Sequence, residues 1–222
     1  MHDDPNIRDR IAAPFLSVLP EDARFILYIG KATSGEWYKH ELCRYPASTS
    51  AKNSATDKIE LRHECTKTFL KEEAPSYNSG FWHFARKLDS AAAEKWKSKT
   101  RMPLQHIGWT NICKIGTVQG NPEGHLFERQ RSLAIETLRL EIELYKPRLI
   151  CFVTWDYKFD CVKEVIGDPS DTSWDQTGNE EWIWWRPAKG KLPPILLTGH
   201  PERKARTRIE EWVAKATDIL PG

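Results

Sequence analysis

Four short apolar runs, separated by longer segments with helical spacing, constrain the fold of this chain more than any other feature. The first run, Phe-Ile-Leu-Tyr-Ile, is followed by Gly30 and carries no charged side chain on either face. Strands that are buried on both faces of a sheet have this pattern, and such strands occur mainly in parallel sheets. The four runs cover residues 25–30, 107–112, 149–154 and 195–198.

Amphipathic segments lie between and after these runs. They predict helices over about 57–71, 80–96, 127–145, 157–166 and 203–219, and an aromatic edge strand over 181–186. The first predicted helix has an inward face of Leu61, Cys65, Thr68 and Phe69. The third has an inward face of Leu133, Ile135, Leu138, Ile142 and Leu144. Strands that alternate with helices predict an α/β fold, here a three-layer α/β/α domain with a central, mostly parallel four-stranded sheet. We expect a single domain over residues 1–222, of which 1–19 form a loosely held lead-in.

Composition narrows the class of protein. The net charge of +2 argues against a purely electrostatic DNA binder, although it allows a local basic groove. The five cysteines form no Cys-x-x-Cys pair, so we expect reduced thiols, no metal and no cofactor. The sequence shows no signal-peptide pattern and no run of 18 apolar residues, so we expect a cytoplasmic protein without a membrane partner. The ten tryptophans fit either a core or a surface on which bases stack.

Ligands of open parallel sheets bind beyond the carboxyl ends of the strands, so the residues that follow each run are the candidates for a site. The first run leads into a turn that differs from a nucleotide-binding P-loop, because Lys31 follows the wrong glycine. Near the end of the second run lies Asn111, whose amide suits the edge of a pyrimidine or caps a turn. His200 follows the fourth run and is either structural or catalytic. Asp156, after the third run, fits a helix cap better than a site residue.

These strand ends belong to four segments whose order along the chain is informative. The segments are Ile29-Gly30-Lys31-Ala32-Thr33-Ser34-Gly35, Thr110-Asn111-Ile112-Cys113-Lys114, residues 141–150 (Glu-Ile-Glu-Leu-Tyr-Lys-Pro-Arg-Leu-Ile) and Thr198-Gly199-His200-Pro201. In this order they resemble the uracil-DNA glycosylase superfamily, from about residue 20 to the C-terminus. Its members have a first motif such as Gly-Glu-Ala-Pro-Gly or Gly-Gln-Asp-Pro-Tyr, a Thr-Asn-Val-Val-Lys strand, a Lys-Pro-Lys-Val-Ile connection and a closing His-Pro-Ser motif.

The resemblance implies a monomeric DNA glycosylase that flips a damaged or modified base out of DNA and hydrolyses its N-glycosidic bond. Asn111 would hydrogen-bond the base, and His200 would stabilise the charge that develops on the base oxygen. The other residues that would hold the base are Gly30, Ala32, Thr33 and Tyr38, with Trp37 and Tyr45 as further candidates for a stacking ring. The residues that would contact the DNA strand are Ser34, Arg203 and Lys204.

The first motif departs from the superfamily, because Lys31 and Ala32 stand where an acid or amide usually positions water. Three explanations stay open: Glu36 could supply the carboxylate, Lys31 could attack the sugar as an amine, or the chain could bind without reacting. We therefore expect a glycosylase for an atypical base, such as a damaged base or a modified base in phage DNA. The alternatives are a catalytically inactive DNA- or protein-binding module and, because the overall charge is weak, a nucleoside hydrolase on the same sheet.

Overall fold

The computed structural model describes residues 18–20, 24–32, 66–99, 102–116, 121–154, 158–168, 175–176, 183–202 and 204–222. The strands are β1 (Ile26–Gly30), β2 (Ile107–Asn111), β3 (Leu149–Phe152), β4 (Asp175–Gln176), β5 (Ile183–Arg186) and β6 (Ile195–Thr198). The α-helices are α1 (Gly80–Lys95), α2 (Gly124–Tyr145), α3 (Phe159–Ile166) and α4 (Arg206–Ile219), and a π-helical turn covers Phe69–Glu73. The predicted α/β class is confirmed.

The strands form one sheet in the order β2-β1-β3-β6-β5-β4. The first four strands of that order are parallel, and they are the four strands that the apolar runs predict. β5 and β4 continue the sheet in antiparallel pairing. The prediction of a four-stranded sheet is therefore wrong, because six strands pair within the described ranges. β5 joins β6 through residues 187–194, and so short a connection allows antiparallel pairing without a crossover helix.

Helices pack against both faces of the sheet. Successive side chains of a strand point to opposite faces, so neighbouring residues of β1 contact different helices. Tyr28 in β1 belongs to an apolar cluster with residues of α1 and α4. Its neighbour Leu27 belongs to a second cluster with residues of α2 and α3. Trp82, Trp109 and Trp212 are buried in the first cluster, so these three tryptophans serve the core.

The buried face of α2 differs from the prediction. Ile135, Leu138 and Ile142 are buried as expected, but Leu133 and Leu144 are 57% and 69% exposed. The remaining positions of the buried face include Phe127, Ala134 and two polar residues, Gln130 and Glu141. A hydrophobic pattern misses this face because the two polar side chains are buried through hydrogen bonds rather than through apolar contact.

Other boundaries agree with the predictions to within a few residues. The helices predicted over 80–96, 157–166 and 203–219 correspond to α1, α3 and α4. Most of the helix predicted over 57–71, including Leu61 and Cys65, lies outside the described residues; residues 66–68 are helical and lead into the π-helical turn. Cys113, Cys151 and Cys161 are buried thiols. Across the described ranges, no helix combines the length and apolar character that a membrane span requires.

Candidate active site

Gly30 and Asn111 meet at the carboxyl edge of the parallel strands. They are register partners at the ends of β1 and β2. A Cβ atom placed on Gly30 would lie 2.5 Å from Oδ1 of Asn111 and 3.2 Å from Cε2 of Phe81. The carboxamide of Asn111 therefore lies directly across the Gly30 main chain, and a side chain at position 30 would displace it.

His200 reaches the same place from the end of β6. Its imidazole stacks on the ring of Phe81, with 5.9 Å between the centroids and 26° between the planes. Because Phe81 also approaches Gly30, one aromatic ring joins the His200 side of the site to the Asn111 side. Contacts through Phe81 thus link the Gly30 loop, Asn111 and His200 at this edge of the sheet; the convergence of the three on one pocket stays a prediction.

The start of α1 holds Phe81 in position. Ser79 caps the helix by accepting a hydrogen bond from the Trp82 N–H at 3.3 Å. At Gly80, a Cβ atom would collide with the Pro201 carbonyl, so the helix start packs directly on the turn that carries His200. The Tyr28 hydroxyl donates to the Phe81 carbonyl at 2.9 Å. Phe81 follows the apolar spacing of this helix, and only its tertiary contacts place it beside His200 and Gly30.

The charge state of His200 follows from its surroundings. Burial and the positive charges of Lys31 and Lys204 lower the pKa of His200 to about 4. The ring is therefore neutral at pH 7. The Glu202 N–H donates to Nδ1 of His200 at 3.3 Å, so the proton of the neutral ring lies on Nε2. His200 can act as a neutral hydrogen-bond donor flanked by two cations.

Asn111 has an unused hydrogen-bonding group. The residue is 1% exposed, and Nδ2 has no hydrogen-bond partner within the described part of the chain. The Thr154 hydroxyl, just after β3, is also buried without a partner among the described residues. Buried polar groups are normally paired, so the Asn111 amide, which lies at a strand end, is a candidate for a hydrogen bond to a ligand.

The opposite face of β2 carries a contrasting group of polar side chains. Lys114 Nζ donates to both carboxylate oxygens of Glu141, at 2.7 and 2.8 Å, and to the Thr110 hydroxyl oxygen at 2.5 Å. The Thr110 hydroxyl donates in turn to Glu141 at 3.1 Å. We call these three residues the Lys114 network. Burial of Lys114 lowers its pKa, and the neighbouring carboxylate of Glu141 opposes that shift.

The predicted site residues fall into two groups. Gly30, Lys31, Asn111, His200 and Lys204 lie in or beside the group of contacts just described. The residues whose placement lies outside the described ranges are Thr33, Ser34, Glu36, Trp37, Tyr38, Tyr45, Asp156 and Arg203.

Ala32 lies on the other side of the sheet. Its methyl group packs against the cluster under α2 and α3. If Ala32 binds the base as predicted, it would do so through its main chain rather than through its methyl group.

Comparisons with known proteins do not indicate a family for this chain. No protein-family model matches the chain, and no curated protein matches it significantly. No group of three or more potential metal ligands occurs among the residues that the structure describes.

Proposed function

We propose that this protein is a DNA glycosylase with the three-layer fold of the uracil-DNA glycosylase superfamily. It would flip a damaged or modified base out of DNA and hydrolyse the N-glycosidic bond. The observation that carries the proposal is that one ring, Phe81, contacts both a neutral imidazole and the place of a buried carboxamide, whose Nδ2 has no partner among the described residues. Both groups follow parallel strands at the edge where sheets of this kind bind ligands.

Asn111 is suited to recognise the base. Its carboxamide presents a donor and an acceptor in one plane, and an extruded base offers complementary groups on its Watson–Crick edge. Nδ2, which lacks a partner within the described ranges, would donate to a carbonyl oxygen of the base. Because Gly30 leaves room for the carboxamide, the main chain of the first loop would approach the base closely.

His200 is suited to stabilise the leaving base. As the bond between the sugar and the base breaks, the electron pair moves to the base and negative charge develops on its oxygen. A neutral ring with its proton on Nε2 can donate a hydrogen bond to that oxygen. The positive charges of Lys31 and Lys204, which already act on His200, would also favour an anionic base. Water would then add its hydroxyl group to the sugar carbon, and its remaining proton would go to the anionic base.

A glycosylase assay with a panel of bases tests the proposal. Duplex and single-stranded DNA with uracil, hypoxanthine, hydroxymethylated or glucosylated pyrimidines would be incubated with stoichiometric protein, and abasic sites would be cleaved with alkali. We expect product from at least one substrate and its loss with His200→Ala and Asn111→Ala. His125→Ala, an exposed histidine at the start of α2, is the matched control and should keep full activity. Absence of product from every substrate would refute the proposal.

The second candidate function is a catalytically inactive module that binds DNA or a protein. Its support is electrostatic: within the described ranges, the two charged groups that shift the pKa of His200 are both cations. Cations hold phosphates without any reaction. This candidate predicts salt-sensitive DNA binding that survives His200→Ala, with no turnover. Binding of free nucleosides that does not respond to salt would instead favour a nucleoside hydrolase.

The setting of the protein is part of the proposal. The three buried thiols fit the reducing cytoplasm. We expect the protein to act there on DNA as a monomer, and sedimentation at several protein concentrations would test the oligomeric state.

A further inference from the structure

The Lys114 network lies directly behind Asn111. Thr110 and Asn111 are neighbours in β2, so their side chains point to opposite faces of the sheet. Asn111 faces Phe81 and the pocket, and Thr110 faces Glu141 of α2. A displacement of the Thr110 side chain would therefore move the main chain that carries Asn111.

Every polar group of the network is satisfied. The Lys114 ammonium has three donors, and it meets three oxygens at 2.5, 2.7 and 2.8 Å. The Thr110 hydroxyl accepts from Lys114 and donates to Glu141. The side chains of Lys114 and Glu141 are 10% and 5% exposed. A complete network in a low-dielectric interior holds its members in one arrangement.

The network also ties the first loop to α2. The Ile112 N–H donates to the Gly30 carbonyl at 2.9 Å, and the Cys113 N–H donates to the Lys31 carbonyl at 2.9 Å. One residue beyond Lys114, the main chain of Ile115 exchanges two hydrogen bonds of 3.0 Å with the side chain of Gln130 in α2. The segment from Thr110 to Ile115 is thus fixed to α2 at both ends while it borders the loop at Gly30.

Stability alone does not account for a buried ion pair at this place. Removing a Lys and a Glu from water is costly, and apolar residues of similar volume often give equal or greater stability. What apolar residues cannot reproduce is directional bonding to one hydroxyl group.

We propose that Thr110, Lys114 and Glu141 are positioning residues that fix the Asn111 carboxamide in the pocket. The inference rests on the proposed function, because Asn111 is the residue that would read the base. Glu141 acts through Lys114 and Thr110 and touches no substrate itself. The fixed position would be needed because Nδ2 of Asn111 has no hydrogen bond of its own to another described residue.

The test is an apolar replacement of the whole network, Thr110→Val/Lys114→Met/Glu141→Leu. Two readouts are followed besides folding: glycosylase turnover and the side-chain NH2 resonances of Asn111 in ¹⁵N-labelled protein, assigned by their loss in Asn111→Ala. We expect a melting temperature equal to or above that of the unchanged protein. We also expect at least a tenfold loss of turnover and a marked shift or broadening of the Asn111 resonances.

A matched control removes an exposed ion pair. Glu164→Gln breaks the contact between Glu164 and Arg131, whose side chains are 44% and 36% exposed. It should leave both turnover and the Asn111 resonances unchanged. Unchanged resonances in the triple variant would overturn the inference.

The test also covers a triple variant that does not fold and an unchanged protein that shows no turnover. If the triple variant does not fold, Thr110→Val takes its place; it keeps the ion pair and removes only the hydroxyl group behind Asn111, and unchanged resonances would again overturn the inference. If the unchanged protein shows no turnover on any substrate, the proposed function fails. The resonances then still decide whether the network positions Asn111.

Discussion

At the carboxyl end of β2, the two neighbouring residues Thr110 and Asn111 face opposite sides of the sheet and differ in their hydrogen bonding. On the α2 face, the Thr110 hydroxyl is hydrogen-bonded to Lys114 and Glu141 in a closed network. On the α1 face, Asn111 is equally buried, and its Nδ2 has no partner among the described residues. Two neighbouring polar residues with the same burial thus differ in whether the described part of the chain completes their hydrogen bonding.

This difference in hydrogen bonding distinguishes polar groups that stabilise the fold from polar groups that can bind a ligand. A buried polar group that is fully paired contributes to the arrangement of the fold, and its removal leaves its partners without hydrogen bonds. A buried polar group that is unpaired opposes folding, because its desolvation is not compensated by a hydrogen bond, and it is available to a ligand. The two faces should therefore respond differently to substitution.

The largest expected effect is on the paired face. Glu141→Ala leaves the Lys114 ammonium buried without its counter-ion, and such changes cost about 3–5 kcal/mol of stability. Urea unfolding measures the loss. Glu143→Ala, an exposed residue on the same helix, is the control and should change stability by less than about 0.5 kcal/mol. A loss of under about 1 kcal/mol for Glu141→Ala would remove the distinction between the two faces.

The next effect concerns the unpaired face. Asn111→Ala should lower single-turnover cleavage by roughly 100-fold or more, the range known for removal of one preorganised hydrogen-bond donor. Its free energy of unfolding should change by less than about 1 kcal/mol, because Nδ2 has no bond to lose within the described part of the chain. A large loss of stability with normal cleavage would assign Asn111 to the fold instead.

Two glycines sharpen the comparison. Gly30→Ala brings a Cβ atom to 2.5 Å from Oδ1 of Asn111, and Gly108→Ala brings one to 2.9 Å from the Phe25 ring on the other face. Both variants should lose about 1–3 kcal/mol of stability through overpacking. Only Gly30→Ala should also lower substrate affinity and cleavage. Equal activity of the two variants would show that the Asn111 carboxamide is not part of the site.

The smallest effect is electrostatic and concerns His200. Its pKa is lowered to about 4, so the folded protein takes up this proton less readily than the unfolded chain, in which the pKa is ordinary at about 6.5. The contribution to stability is complete above pH 6.5 and is lost progressively as the pH falls from 6.5 towards 4. Lys204→Ala should raise the pKa of His200, as measured by an NMR titration of its ring protons. A pKa that does not rise would exclude Lys204 from the pocket.

The local pattern of residues was sufficient for much of the fold. Short apolar runs that are separated by helical segments favour strands inside a parallel sheet, so β1, β2, β3 and β6 and their parallel arrangement could be predicted from the sequence. Pro147 marks the end of α2, since its ring and missing N–H stop a helix. The rule that ligands lie beyond the carboxyl ends of parallel strands directed attention to Asn111 and His200.

Only the tertiary structure decided which side chains act together. Hydrophobicity placed Leu133 and Leu144 in the core, although buried hydrogen bonds give that face of α2 to Gln130 and Glu141. Phe81 is an ordinary core residue in the helical pattern, and its contact with His200 depends on packing across 119 positions of the chain. The physical reason is general: apolar burial depends on local composition, whereas hydrogen bonds and ring contacts depend on the exact placement of distant partners.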